Sequence, residues 1–273
     1  MDKSLKEVDM QGRTMTRLET PKTIKCLLVI GVLWGLFLVA GSWAANQDFG
    51  EGTVIGVGSD LNLIVGGGPS LGNTLGEDSL GNIVGGSSQT TGAAASDNLV
   101  TGHNNTLGDD NSNNAVSGSG NSLGVFAEDN LLSGTDNSLG DDTYGNIVGG
   151  NANHLGANST DNQVSGISNS LGDDAAGNVV SGEQNSLGIS NYGNMVSGYQ
   201  NVLGDNSTDN LVTGTGNNVT GLSNLVTGDG NTVVGDNNVA TMGATVTGDS
   251  NIGMGSGAVA GVDSTSTGMI AIG

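Results

Sequence analysis

Three consecutive stretches decide the fold: NLVTGHNNTLGDDNSN at 98–113, NAVSGSGNSLGVFAED at 114–129 and NLLSGTDNSLGDDTYG at 130–145. Aligned under one another, they stack asparagine on asparagine (Asn98, Asn114, Asn130) and glycine on glycine (Gly102, Gly118, Gly134). Midway between stands a bulky apolar residue: Val100, Val116, Leu132. A second half-unit reads Asn, any residue, Leu, Gly, as in Asn121-Ser122-Leu123-Gly124. The period of 16, split seven plus nine, holds without a slip from Asn82 to Asn210. A unit this short cannot bury an apolar face alone, so neighbouring units must stack on one another.

Glycine and asparagine at every few positions exclude a helix, where both are unfavourable. Short apolar stretches between turn residues favour strands. In each strand the Val points inward and its two neighbours point outward, because successive side chains alternate. Each period then makes one coil with two short strands, Val from one facing Leu from the other. Gly and Asn take the positive-φ corners that other residues avoid. Asn98, Asn114, Asn130, Asn146, Asn162, Asn178 and Asn194 form a structural amide ladder, as identical residues do in other cross-strand stacks. The reading is all-β, a flattened parallel roll, and about 14 coils at ~4.8 Å each give ~65 Å.

The chain divides by pattern. Residues 1–25 are a leader, 26–45 an apolar segment, and 46–81 irregular first coils or a cap with Pro69 in a joint. Residues 82–209 carry the 16-residue repeat. From Asn210 the asparagines come every seven residues (Asn217, Asn224, Asn231, Asn238), so 210–250 should form tighter 14-residue coils. Residues 251–273 are Ala-, Ser- and Gly-rich terminal coils.

Charge is divided as sharply. All six Lys and Arg lie within the leader, between Lys3 and Lys25, and four of the 27 acids lie there too. That leaves 27 − 4 = 23 acids and no base from Cys26 onward. Phosphate binding requires cations, so nucleic acid is excluded as a partner of the body. The apolar segment 26–45 carries no charge and follows Lys22 and Lys25. It reads as one hydrophobic helix, a signal peptide cleaved after Ala44 or a signal anchor. The bases lie on its amino side, so the repeats face outward and the body is extracellular or at the cell surface. Cys26 is the only cysteine, and no disulfide framework exists.

The seven-residue units Asn217-Asn218-Val219-Thr220-Gly221 and Asn231-Thr232-Val233-Val234-Gly235 resemble the head repeats of YadA-like trimeric autotransporter adhesins. The ending Gly268-Met269-Ile270-Ala271-Ile272-Gly273, the long leader and the apolar signal resemble that family too. The resemblance implies a left-handed parallel β-roll, a homotrimer, and binding to a host surface, extracellular matrix or other surface ligand. The same units are similar to grass ice-recrystallisation-inhibition proteins, built on Asn-x-Val-x-Gly, which implies ice as the alternative ligand. Neither a heptad stalk nor a membrane barrel is seen in the sequence. That leaves a fragment of an adhesin, or a chain exported differently.

The candidate interaction face follows from strand alternation. Ile83, Leu99, Ala115, Leu131, Ile147, Gln163, Val179, Met195 and Leu211 precede an inward residue and should face out. Thr101, Ser133, Ser181, Ser197 and Thr213 follow one and flank the stripe. An apolar stripe of this length is rarely left in water. It is buried between chains, or it orders water as an ice-binding array, or it belongs to a wider core. The acidic pairs Glu77-Asp78, Asp109-Asp110, Asp141-Asp142 and Asp173-Asp174 recur on alternate coils. At ~10 Å apart they are too far to share an ion, which leaves turn acids first and weak calcium second. No cofactor is expected. His103 and His154 occupy unequal repeat positions, so no nucleophile–base spacing recurs and the expectation is a non-enzyme. Adhesion is the first reading, ice binding the second, a structural spacer or surface coat the third.

Overall fold

The computed structural model describes residues 46–66 and 72–273, together with the two strands Glu7–Val8 and Thr14–Met15. The apolar segment 26–45 and Pro69 lie outside the described residues. Two units are distinguished, Met1–Trp43 and Ala44–Gly273. In the first, Glu7–Val8 pairs antiparallel with Thr14–Met15.

The second unit is a parallel β-solenoid. One sheet stacks fifteen strands from Gln47–Asp48 to Ile270–Ile272, and the other stacks fourteen from Val54–Ile55 to Val259–Ala260. Through the repeat the first sheet has five-residue strands such as Leu99–His103 and Leu131–Thr135, and the second has two-residue strands such as Thr106–Leu107. Val100 pairs with Val116 and Val116 with Leu132, one coil to the next, in the register of the sequence period.

The interior is thin. Val100, Val116, Leu132, Val148, Val164, Val180, Val196 and Val212 form one buried column. Leu107, Leu123, Leu139, Leu155, Leu171, Leu187 and Leu203 form the facing one. Two asparagine ladders flank them. Asn98 Nδ2 donates to Asn82 Oδ1 at 3.0 Å and to the Asn111 carbonyl at 2.8 Å. Its own Oδ1 accepts from the backbone N (2.9 Å) and Nδ2 (3.0 Å) of Asn114. Both protons and both lone pairs of the amide are thus satisfied at full burial. The second ladder repeats this, with Asn137 Nδ2 donating to Asn121 Oδ1 at 3.1 Å and to the Ser133 carbonyl at 2.8 Å.

The Gly column is enforced by space as well as conformation. Gly150 sits at φ +114°, and a Cβ there would lie 2.0 Å from the Gly166 carbonyl oxygen of the next coil. Any side chain would push the coils apart.

Three expectations require correction. The ladder asparagines do not supply the positive-φ corners. Their side chains must point inward to reach the next coil, so their backbone stays strand-like. The left-handed positions fall elsewhere, at Asn104, Asp110 and Asn113 and their equivalents, where the side chain points outward. Second, the longer coil has a third side. A ladder of single-residue parallel bridges runs from Asp60–Leu80 through Ser96–Ser112 and Glu128–Tyr144 to Thr208–Leu222. The residue before each bridge points inward and is small and buried: Ala95, Ala127, Thr143, Ser159, Ala175. The two extra residues of the nine-residue half make the corner that turns the chain onto this side. Third, the first coils are already in register. Gln47 pairs with Leu63 and Leu63 with Ile83, a step of 16 followed by one of 20, and the longer step hides the period from a reading of spacing alone.

Beyond Asn210 the coil shortens as read. Leu211 pairs with Leu225 and Leu225 with Val239, both 14 apart, and the next step, Val239 to Ile252, is 13.

Candidate interaction face

The outward column of the long-strand sheet is built by pairing rather than by sequence proximity. Leu99 pairs with Ala115, Ala115 with Leu131, Leu131 with Ile147, and so on through Gln163, Val179 and Met195 to Leu211. Each residue precedes an inward one, so alternation puts it outside. Leu99 (44%), Leu131 (46%), Ile147 (47%), Val179 (38%), Met195 (52%) and Leu211 (38%) retain this share of their surface. The wider-core explanation of the stripe is thereby removed. Thr101, Ser133, Ser181, Ser197 and Thr213 lie on the same side, two positions along, half-buried between neighbouring coils.

Register extends the stripe at both ends. Leu63 precedes Ile83, and Leu225, Val239, Ile252 and Ile270 follow Leu211. From Leu63 to Ile270 only Gln163 is polar, over ~60 Å at the parallel spacing. Neither outward column carries an acid along this length, although 23 acids lie from Cys26 onward. The acids sit at the corners, the third side and the strand ends. Depletion of charge beside an apolar row distinguishes the centre of an interface from ordinary surface.

Spacing alone missed a second column. On the short-strand sheet the residue before each inward one is Thr74, Thr90, Thr106, Ser122, Ser138, Ser170 or Ser186, and later Thr232 and Thr245. All are wholly or partly exposed. His154, Val202 and Asn218 interrupt the series. The signal was present in the sequence as the variable position of Asn-x-Leu-Gly, filled mainly by hydroxyls.

The acidic pairs have a structural use. Asp109 Oδ1 accepts from the Ala93 amide at 2.8 Å, Asp141 from Val125 at 2.9 Å, Asp173 from Ala157 at 2.8 Å and Asp205 from Ile189 at 3.0 Å. Each caps a turn amide of the preceding coil, and the second acid of the pair takes a left-handed backbone position at Asp110, Asp142 and Asp174. Alternate coils suffice because the coil being capped carries an apolar residue there. Among the described residues no three His, Cys, Asp or Glu are grouped to hold a metal. His103 and His154 are exposed, and His103 Nδ1 meets Ser87 Oγ at 2.8 Å. On the third side, the Asp129 carboxylate beside Tyr144 raises the phenol pKa above its ordinary value, through hydrogen bonding to the hydroxyl first and coulombic repulsion second.

No family model and no curated protein matches the chain. Among solved structures, the chain is similar to UDP-N-acetylglucosamine O-acyltransferase (LpxA) from Moraxella catarrhalis, at 11% identity over 77% of this chain and 70% of that one. The TM-score is 0.14.

Proposed function

We propose that the solenoid is a non-catalytic interaction module displayed outside the cell, in the manner of a YadA-like adhesin head. Copies of the chain cover the long-strand face of one another as a homotrimer. The remaining sides meet a host surface, matrix or other surface ligand through many weak contacts, multiplied by avidity. The observation that carries this reading is the charge-free apolar stripe from Leu63 to Ile270 on a body otherwise rich in acids. Like-charged bodies repel, and this face is where their approach is opposed least. The solution mass of residues 46–273, measured by light scattering, tests it. Three chains per particle are expected, and a clean monomer would remove the trimer.

One observation favours a second reading. Hydroxyl columns stand on both sheets at the coil step of ~4.8 Å, broken by Gly149 on one sheet and by His154, Val202 and Asn218 on the other, and such an array is suited to ordering water at an ice surface. A monomer that inhibits ice recrystallisation would establish this reading over the first.

A further inference from the structure

The solenoid's interior is divided, and the division falls at one coil. Ile64, Leu75 and Val84, with Ile55 against them, form one packed cluster. A second cluster runs unbroken from Val100 and Leu107 to Ala260. Between them, Thr91 stands in the Leu column and Gln89 in the second asparagine ladder. Both are fully buried. Thr91 is shorter than leucine and brings a hydroxyl, and its Oγ1 has no partner. Gln89 Nε2 has none either. From Asn105 to Asn231 this ladder is doubly linked: Asn105 Oδ1 accepts both the backbone N and the Nδ2 of Asn121, and Asn217 Oδ1 both those of Asn231. Across Gln89 only the backbone links remain, from Gln89 N to Asn73 Oδ1 and from Asn105 N to Gln89 Oε1, each at 3.0 Å. Among the described residues, three of the five unpartnered buried side-chain atoms (those of Thr53, Gln89 and Thr91) belong to the coils before Asn98.

We propose that the solenoid opens in two steps, the coils of 46–66 and 72–92 releasing as one unit while those from Asn98 onward stay closed. In a stack where each coil touches only its neighbours, stability is a sum of interface contributions, and the weakest interface sets where the stack parts. The seam between Thr91 and Leu107 lacks a leucine contact and the link that Asn105 Nδ2 would give Gln89 Oε1, and the buried Thr91 Oγ1 and Gln89 Nε2 stand at it with no partner. The long-strand sheet runs through it intact, with Ile83 paired to Leu99 and Asn98 Nδ2 on Asn82 Oδ1. The short-strand side is therefore where parting starts. Release would uncover the carbonyls of Asn98, Asn105 and Leu107, which now accept from Ile83, Thr90 and Gly92. That edge, with Val100 and Leu107 behind it, is a template for a further strand.

Hydrogen exchange followed by mass spectrometry on the full chain tests this. Peptides covering 46–86 should exchange together and at least ~10-fold faster than those covering 99–203, with a step between Thr91 and Leu99. The double change Gln89→Asn and Thr91→Leu, which restores the repeat, should reduce that step to under ~3-fold. Equal rates on both sides would overturn the proposal. So would a smooth gradient from the amino end, or a step that survives the repair, since either would mean end fraying rather than a seam.

Discussion

The coils of 98–209 and those of 210–250 share the grammar of Asn, apolar residue and Gly, yet they enclose different interiors. The longer coil has three sides: a five-residue strand, a two-residue strand and a one-residue bridge. Its Val column faces Leu, and a row of small residues fills the third corner. The shorter coil has two strands of three residues, as in Leu225–Thr227 and Thr232–Val234. There both columns are Val or smaller: Val219, Val226, Val233, Ala240, Val246. Removing two residues per turn removes a side, and the room for leucine goes with it. The ladder persists in both, because its spacing is set by the coil-to-coil distance and not by the perimeter. It thins in the shorter coils: Asn231 Oδ1 accepts only the Ala244 amide, where an asparagine would also give its Nδ2.

The largest contrast lies in the glycines. Gly150→Ala places a methyl 2.0 Å from backbone at φ +114° and should destabilise by at least ~4 kcal/mol. Gly216→Ala, at φ +63° with nothing within 4 Å, should cost only ~1–2 kcal/mol. Denaturant midpoints separate the two, and equal losses would mean that conformation alone selects glycine. Next come the ladders. Asn153→Ala takes an acceptor from the backbone N and Nδ2 of Asn169 and a donor from the carbonyls of Gly149 and Gly166, for a loss of about 2–4 kcal/mol. Asn231→Ala removes fewer partners and should cost less; a reversed order would refute the thinning of the ladder.

The core should follow the same order. Leu171→Ala in the three-sided region should lose ~2–5 kcal/mol, and Val233→Ala roughly 1.5–2.5 kcal/mol. Ala240 already occupies a Val position in the shorter coils without breaking the column. On the face common to both regions, Leu131→Glu with Ile147→Glu should shift monomer stability by only ~0.5 kcal/mol, since both side chains are about half exposed. The particle mass should fall to one chain. A particle still of three chains would place the contact elsewhere.

The smallest effect tests the third side. Asp129 holds Tyr144 protonated, so the contribution of this pair is present below the ordinary phenol pKa of 10.0 and is lost as pH rises through the elevated folded value. Asp129→Asn should move the midpoint of Tyr144 ionisation, followed by phenolate absorbance, downward toward that value. An unmoved midpoint would mean that the bridge row does not bring these two residues together.

Much of this was legible because each column makes one physical demand at every turn. Buried Val and Leu, and asparagines that satisfy one another, admit few substitutes, so Asn98, Val100 and Leu107 recur visibly. The third side was not legible, although its inward row also repeats once in every coil. Ser79, Ala95, Asn111, Ala127 and Thr143 share small size but not polarity, and a search for apolar periodicity passes over them. The positive-φ positions escaped for a related reason: Asp, Asn, Ser, Gln, Ala and even Phe126 stand there, since an outward side chain meets little constraint beyond the backbone. The stripe was found in its middle and missed at its ends, where steps of 20, 14 and 13 break the count while pairing continues.

In-register stacking, kept while the turn shortens beyond Asn210, is the claim beneath all the others, and paired cysteines test it most directly. With Cys26 replaced by serine, Ser117→Cys with Ser133→Cys and Thr213→Cys with Thr227→Cys should each close a disulfide under mild oxidation. Their residues are paired neighbours at ~4.8 Å, within the reach of that bond. Thr213→Cys with Asp229→Cys, which keeps the longer spacing where the turn has shortened, should stay reduced; its closure in place of the Thr227 pair would contradict the account.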